Sequence, residues 1–426
     1  MFEIRRSVFG HNVVTTGILL ALVPGAGFCA GAELRRLEGK HLTLWTDLPA
    51  GPEVDRLPEY FDQAYPLYCD FFGVDSKKHE AWHMVGYVMK DRNRFVRNGM
   101  LPHALPKFEH GFTAGNRLWV VDQPSDYYRR HLLLHEGVHG FCLALFDWCG
   151  PPWFMEGLAE LLATHRIENG RIILNSFPAE RESVPMWGRI KLVQDAFREK
   201  RALTLERVLA FGPSAHLDTT AYAWSWAAAA FLEAHPAYHD AFRRSIDDFK
   251  RRKDPTERLK TELRDEWNAL AAEWKVFVQS LEYGHDIAST AIDFSPGKPL
   301  AGEPREVLVR ADRGWQNSGI RLASGRPVIL SARGRFIVAR TTAPWPCEPP
   351  GVTLRYYQGR PLGILLAAVV PDDPGDNPNS LLFPYEVGTG ATIRPEVAGT
   401  LLFKINDCAG ELHDNMGEVT VTVRRP

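Results

Sequence analysis

Two imidazoles and a carboxylate stand at a chemically useful spacing in His135-Glu136-Gly137-Val138-His139. On a helix, residues four apart share a face about one turn apart, so His135 and His139 can hold one metal ion between them. Zinc lowers the pKa of a bound water to about 7, and Glu136, next to the first ligand, can take its proton as the oxygen attacks a polarised amide carbonyl. The pattern also arises by chance, and His pairs on amphipathic helices often form only a polar edge. Here the pentad lies in a run, Leu132 to Phe141, that is otherwise apolar. Few soluble helices place such groups there without a use for them.

A catalytic zinc needs three protein ligands and one open position, so a third donor must come from elsewhere. His131 extends the row to i, i+4, i+8, but three turns span about 12 Å, too far for one ion. It reads as a neighbour. His165 reads as a cap on the last carbonyls of a second helix.

These groups require a helix, and the sequence supplies one. Ser125 or Asp126 is a good N-cap for a helix from Tyr127 to Phe146, directly after a strand at Arg117 to Val121. Earlier come a strand near His41 to Thr46, a helix through Val54 to Phe72, and a strand in Trp82 to Met89. Pro151-Pro152 opens a helix over Trp153 to Arg166; others fit Ile190 to Lys200, Ala221 to Ala234, and a long amphipathic stretch after Pro255. Strands first and helices later is an α+β pattern. Beyond residue 284 the pattern alternates, in Glu306 to Arg310, Pro327 to Ser331, Val352 to Tyr357 and Glu418 to Val423, as in an all-β sandwich.

At 426 residues the chain exceeds one core, and the expected division is 33–283 and 284–426. A hydrophobic share of 45%, a charged share of 24% and a net charge of -2 describe a folded protein with no field for nucleic acid. Arg5-Arg6, an apolar stretch at Val13 to Val23 and Ala30-Gly31-Ala32 form a signal-peptide pattern over 1–32, which predicts a secreted or periplasmic protein. An uncleaved anchor is the rival, but Pro24-Gly25 cuts the stretch short of the roughly 20 residues a span needs. No later segment is long and apolar enough for a transmembrane segment in the mature chain. Five cysteines follow the signal, an odd number, of which Cys347 and Cys408 could pair.

The segment Trp153-Phe154-Met155-Glu156-Gly157-Leu158-Ala159-Glu160 resembles the W-x-x-E-G-x-A-E of gluzincin metallopeptidases. Over 33–283 the chain is similar to peptidase MA-like proteins of the domain-of-unknown-function 1570 type. That resemblance implies a zincin-like, thermolysin-like fold with Glu156 as third zinc ligand. It lets Glu160, one turn on, accept the second N–H of a ligating His. It also implies an oxyanion-stabilising Tyr or His on a later helix; Tyr222 is the candidate, with Tyr127 and Tyr128 as rivals. Arg117 to Val121 resembles the edge strand that pairs with an extended peptide or protein substrate.

In the C-terminal part, Gly314-Trp315-Gln316-Asn317-Ser318-Gly319-Ile320, Ser331-Ala332-Arg333-Gly334, Leu402 to Asp407 and Asp414-Asn415 resemble galactose-binding lectins of the PA-IL type. The resemblance implies calcium at Asp407, Asp414 and Asn415 and a glycan or cell-surface partner. Turns alone also account for such Asn and Asp pairs. The function expected is a zinc-dependent peptidase with an accessory lectin-like domain. The alternatives are a catalytically silent carbohydrate-binding or adhesion protein with a structural zinc, and a hydrolase of a non-peptide amide.

Overall fold

Met84–Met89, β3, is an unbroken apolar run around one glycine, and it occupies the middle of a five-stranded sheet. It runs parallel to β2 (Leu42–Thr46) on one side and to β5 (Arg117–Val121) on the other. A strand covered on both faces needs apolar side chains on both. One edge is β1 (Arg35–Glu38), antiparallel to β2; the other is β4 (Gly111–Ala114), antiparallel to β5. The strand at Arg117–Val121 thus forms with the expected bounds, but it is not the edge. Leu118, Trp119 and Val120 are buried between two paired neighbours, and the free edge belongs to β4.

This computed structural model describes residues 34–340, 343–375 and 379–426, and the expected signal at 1–32 lies outside them. Among the described residues no helix is long and apolar enough to cross a membrane.

Helix α1 (Leu57–Phe72) covers the sheet beside α2 (Asp126–Phe146). Ser125 Oγ accepts from Tyr128 N at 3.1 Å to start α2, and Asp147, at φ 60°, ends it. Sixteen of its 21 residues are buried, so it is a central helix rather than a surface one. A short link leads to α3 (Pro152–Ala163), which returns antiparallel along α2; Pro151 is extended and Pro152 opens the first turn. A β-carbon on Gly157 would sit 2.9 Å from Ser225 O, which is how closely α5 (Thr219–Ala234) lies on α3. Between them in sequence is α4 (Arg189–Arg198).

Two expected helices end differently. Thr164 is extended, so α3 stops at Ala163, and Arg166–Glu168 pairs as a strand with Arg171–Ile173. The stretch after Pro255 divides into Pro255–Glu262 and Trp267–Ser280.

After residue 290 the chain is mainly strand. One sheet orders Pro350–Tyr357, Arg360–Val370, Gly399–Ile405, Gln316–Leu322 and Lys298–Pro299; the other orders Gly390–Ile393, Val328–Arg333, Glu418–Arg424 and Arg305–Arg310. Leu365, Phe403 and Ile320 of the first meet Leu330, Val309 and Val421 of the second in one core. The alternation in Glu418–Arg424 is plain, with Val419, Val421 and Val423 all buried.

Residues 35–426 pack as one unit. At the join, Glu273 Oε1 accepts from Ile292 N at 2.6 Å, and the Cys408 thiol donates to Glu282 Oε2 at 2.8 Å. A β-carbon on Gly410 would fall 2.0 Å from Tyr283 O. Cys408 does not pair with Cys347, a pairing the sequence left open. The Cys347 sulfur packs where a β-carbon on Gly363 would be, and both thiols are free.

Candidate metal centre

Antiparallel packing of α2 on α3 sets a row of imidazoles, His131, His135 and His139, against a row of carboxylates, Glu156 and Glu160. Four residues of helix rise about 6 Å, so each carboxylate falls between two rings. Glu156 Oε2 lies 3.2 Å from His135 Nε2 and 3.5 Å from His139 Nε2, and those two nitrogens are 3.1 Å apart. Glu160 Oε1 lies 3.4 Å from His135 Nδ1, and its Oε2 lies 3.2 Å from His131 Nε2.

The first of these triangles has the size of a tetrahedral face: donors held at about 2.0–2.1 Å by a tetrahedral ion stand about 3.3–3.4 Å apart. Glu156 Oε2 is buried with no hydrogen-bond partner among the described residues, and two ring nitrogens facing each other at 3.1 Å need a proton or a cation between them. The donor set fits a metal ion. Protons otherwise take that place. Burial disfavours charge on His135, yet Glu156 and Glu160 raise its pKa to about 9; His139 is raised by Glu156 against the same penalty. Burial likewise opposes ionisation of Glu156, but His139 and His135 bring it down to about 2.

The second group, His131, His135 and Glu160, also has its ligand atoms close together. Its carboxylate is taken. Arg189, at the start of α4 and buried, donates through Nε to Glu160 Oε2 at 3.0 Å and through Nη2 to Oε1 at 2.8 Å. Against the cost of burial, that guanidinium and then His131 hold the Glu160 carboxyl well below its ordinary range. His131 is a neighbour of the first group, as its spacing predicts. His165 caps α3 through Nδ1, 2.8 Å from Ala163 O, and burial keeps it neutral with a pKa of about 3.

Glu136 lies against the edge strand β4, within the field of His135, His139 and Glu156. Thr113 Oγ1 donates to Glu136 Oε2 at 2.7 Å and lies 2.9 Å from Glu136 O. Glu136 Oε1 lies so close to Gly111 that a β-carbon there would be 2.3 Å away. Burial raises the Glu136 pKa, opposed by His135, His139 and the Thr113 hydroxyl. On α5, the Tyr222 ring meets His135 edge-on with centroids 5.8 Å apart. Burial and the carboxylates of Glu156, Glu136 and Glu160 keep its phenol protonated. The rival tyrosines have other partners, Tyr127 stacked on His165 and Tyr128 on His131.

Sequence reasoning brought together His135, Glu136, His139, Glu156, Glu160 and Tyr222, and missed Arg189, Thr113 and Gly111. Only Gly111 and Thr113 left a trace, as a short β-prone segment one turn ahead of Arg117.

In the β-rich part, Asp407 Oδ1 accepts from Cys408 N and Oδ2 from the Asn415 amide, both within 2.8 Å. Asp414 Oδ2 accepts from Arg340 N at 2.7 Å. Asp414 Oδ1 and Asn415 Oδ1 are buried oxygens with no partner among the described residues. Oxygen donors of this kind suit a hard cation.

No known protein family's sequence profile matches the chain, and no curated protein does. Among solved structures, the chain is similar to an EclA N-terminal domain, a PllA-like lectin, over 28% of this chain and 95% of that one, at 23% identity and a TM-score of 0.21. With so low a score, the architecture of the β-rich part rests on its own strand pairing.

Proposed function

We propose that this protein is a zinc-dependent peptidase of gluzincin type, with a zincin-like catalytic part and a β-sandwich accessory part. The observation that carries the proposal is the buried triangle of His135 Nε2, His139 Nε2 and Glu156 Oε2, with a Glu136 carboxylate on the adjoining sheet edge. A zinc ion in the triangle would activate water and polarise a carbonyl.

The chain's own groups support hydrolysis around that ion. Glu136, with its pKa raised by burial, is a better proton acceptor near neutral pH than an exposed carboxylate and can pass the proton on to a leaving amine. Thr113 and the bare Gly111 backbone fix its orientation. The edge strand β4 offers unpaired backbone groups to an extended peptide beside Glu136. Tyr222, held protonated beside His135, is the proposed donor to an oxyanion.

One observation favours a second reading, a silent binding protein with a structural zinc. The His135 and Glu156 side chains are 6% and 3% exposed, which is tight for a site open to substrate. A structural ion, however, gives Glu136 no task. Metal content and hydrolysis of a broad peptide library, compared in wild type and Glu136→Gln, separate the readings. The peptidase reading expects equal zinc in both and a fall in turnover of at least about 10²-fold in the variant. Zinc in both with cleavage by neither selects the second.

The accessory part is proposed to bind a glycan or a cell surface with calcium at Asp407, Asp414 and Asn415, supported by the two unpartnered oxygens there. Placement outside the cytoplasm is proposed from the sequence pattern in 1–32 alone.

A further inference from the structure

Two His and Glu groups overlap in this protein and share His135, yet a guanidinium sits on only one of them. We propose that Arg189 is a positioning residue that confines the metal to His135, His139 and Glu156 by filling the second group as an internal cation. This rests on the metal-centre reading above.

The argument is one of charge. Glu136, Glu156 and Glu160 are buried side by side, and imidazoles acting as ligands are neutral. Three negative charges are then met by a divalent ion and by Arg189. A buried charge left unmatched is costly, and the two arginines of α2 are committed elsewhere. Arg130 is committed to Glu53 and His165, and Arg129 to Asp122 and Asp126.

Without the guanidinium, Glu160 would keep its charge beside His131 Nε2 at 3.2 Å and His135 Nδ1 at 3.4 Å, and once the Nδ1 proton passes to solvent, leaving a bridging imidazolate, these are oxygen and nitrogen donors for a second ion. An ion there would also draw on the His135 ring from its other nitrogen. With Arg189 in place, the fork on Glu160 turns that ring's Nδ1 toward the carboxylate and its Nε2 toward Glu156. A lysine would supply the charge without the fork.

The test counts metal. The full chain is loaded with cobalt(II), desalted, and its bound equivalents are measured for wild type, Arg189→Met, Arg189→Lys, and Arg189→Met combined with His131→Phe. Arg189→Met is expected to retain one equivalent more than wild type, Arg189→Lys the same as wild type, and the double variant to lose the extra ion. Equal retention by Arg189→Met and wild type overturns the proposal. Wild type with no bound metal refutes the metal centre, whereas an extra ion in Arg189→Met still supports the role of Arg189. If Arg189→Met does not fold, wild type in excess cobalt(II) decides. A second tight equivalent abolished by His131→Phe overturns the proposal, and a single equivalent unaffected by His131→Phe upholds it.

Discussion

Replacing Glu160 with Gln removes a charge that Arg189 grips at 2.8 and 3.0 Å, where both side chains are almost wholly buried. The amide keeps the shape and one acceptor, but the guanidinium stays charged, with Trp187 O at 3.1 Å and Tyr128 OH at 3.4 Å as its other neighbours. Breaking a buried pair by removing one partner costs about 3–5 kcal/mol. The retained acceptor restores about 1 kcal/mol, so a net loss of about 2–4 kcal/mol is expected. Denaturant unfolding measures it as a lower midpoint with an unchanged slope. His135 also loses the partner of its Nδ1, and such losses weaken metal binding by about 10–100-fold, which competition with a chelator reads directly. A variant within about 0.5 kcal/mol of wild type and with unchanged metal affinity would refute the reasoning, because the pair would then contribute neither to the core nor to the centre.

Gly111→Ala places a β-carbon 2.3 Å from Glu136 Oε1, so the carboxylate proposed as base must move. Turnover is expected to fall by about 10²-fold while zinc content, measured on the same sample, stays the same. With no calcium bound, burial raises the Asp407 carboxyl from 3.8 to about 6, against the pull of Asn415 and the Cys408 N–H, so the profile is read in excess chelator. The folded protein then holds a proton that the unfolded chain releases, so this contribution is whole below about 4 and lost as pH rises through about 6. It amounts to about 3 kcal/mol. Unfolding midpoints of Asp407→Asn across that window should be flatter than those of wild type, and an equally steep profile would count against a buried proton at Asp407.

The helix that carries the His row was legible because everything that makes it is local: a serine cap, an apolar run, and a four-residue repeat of His. Glu156 needed the likeness of its flanking residues, since no spacing rule links it to His139 across the intervening link. The edge strand was misassigned for a physical reason. Arg117–Val121 is strongly apolar because it is paired on both sides, whereas the real edge, Gly111–Ala114, is four half-buried residues with hardly any pattern. Arg189 was hidden for a related reason. At the start of an amphipathic helix an arginine reads as a solvated charge, and only the packing of α4 against α5 turns it inward, toward Glu160.

The join near residues 273–292 has a mechanical consequence. Among the described residues, Glu273 bonded to Ile292, Cys408 to Glu282, and Gly410 packed against Tyr283 tie the strand-rich end to the helices at three points. A surface gripped by that end would meet the His row at one fixed bearing, so reach and angle would be set by the protein's own rigidity rather than by the length of a tether.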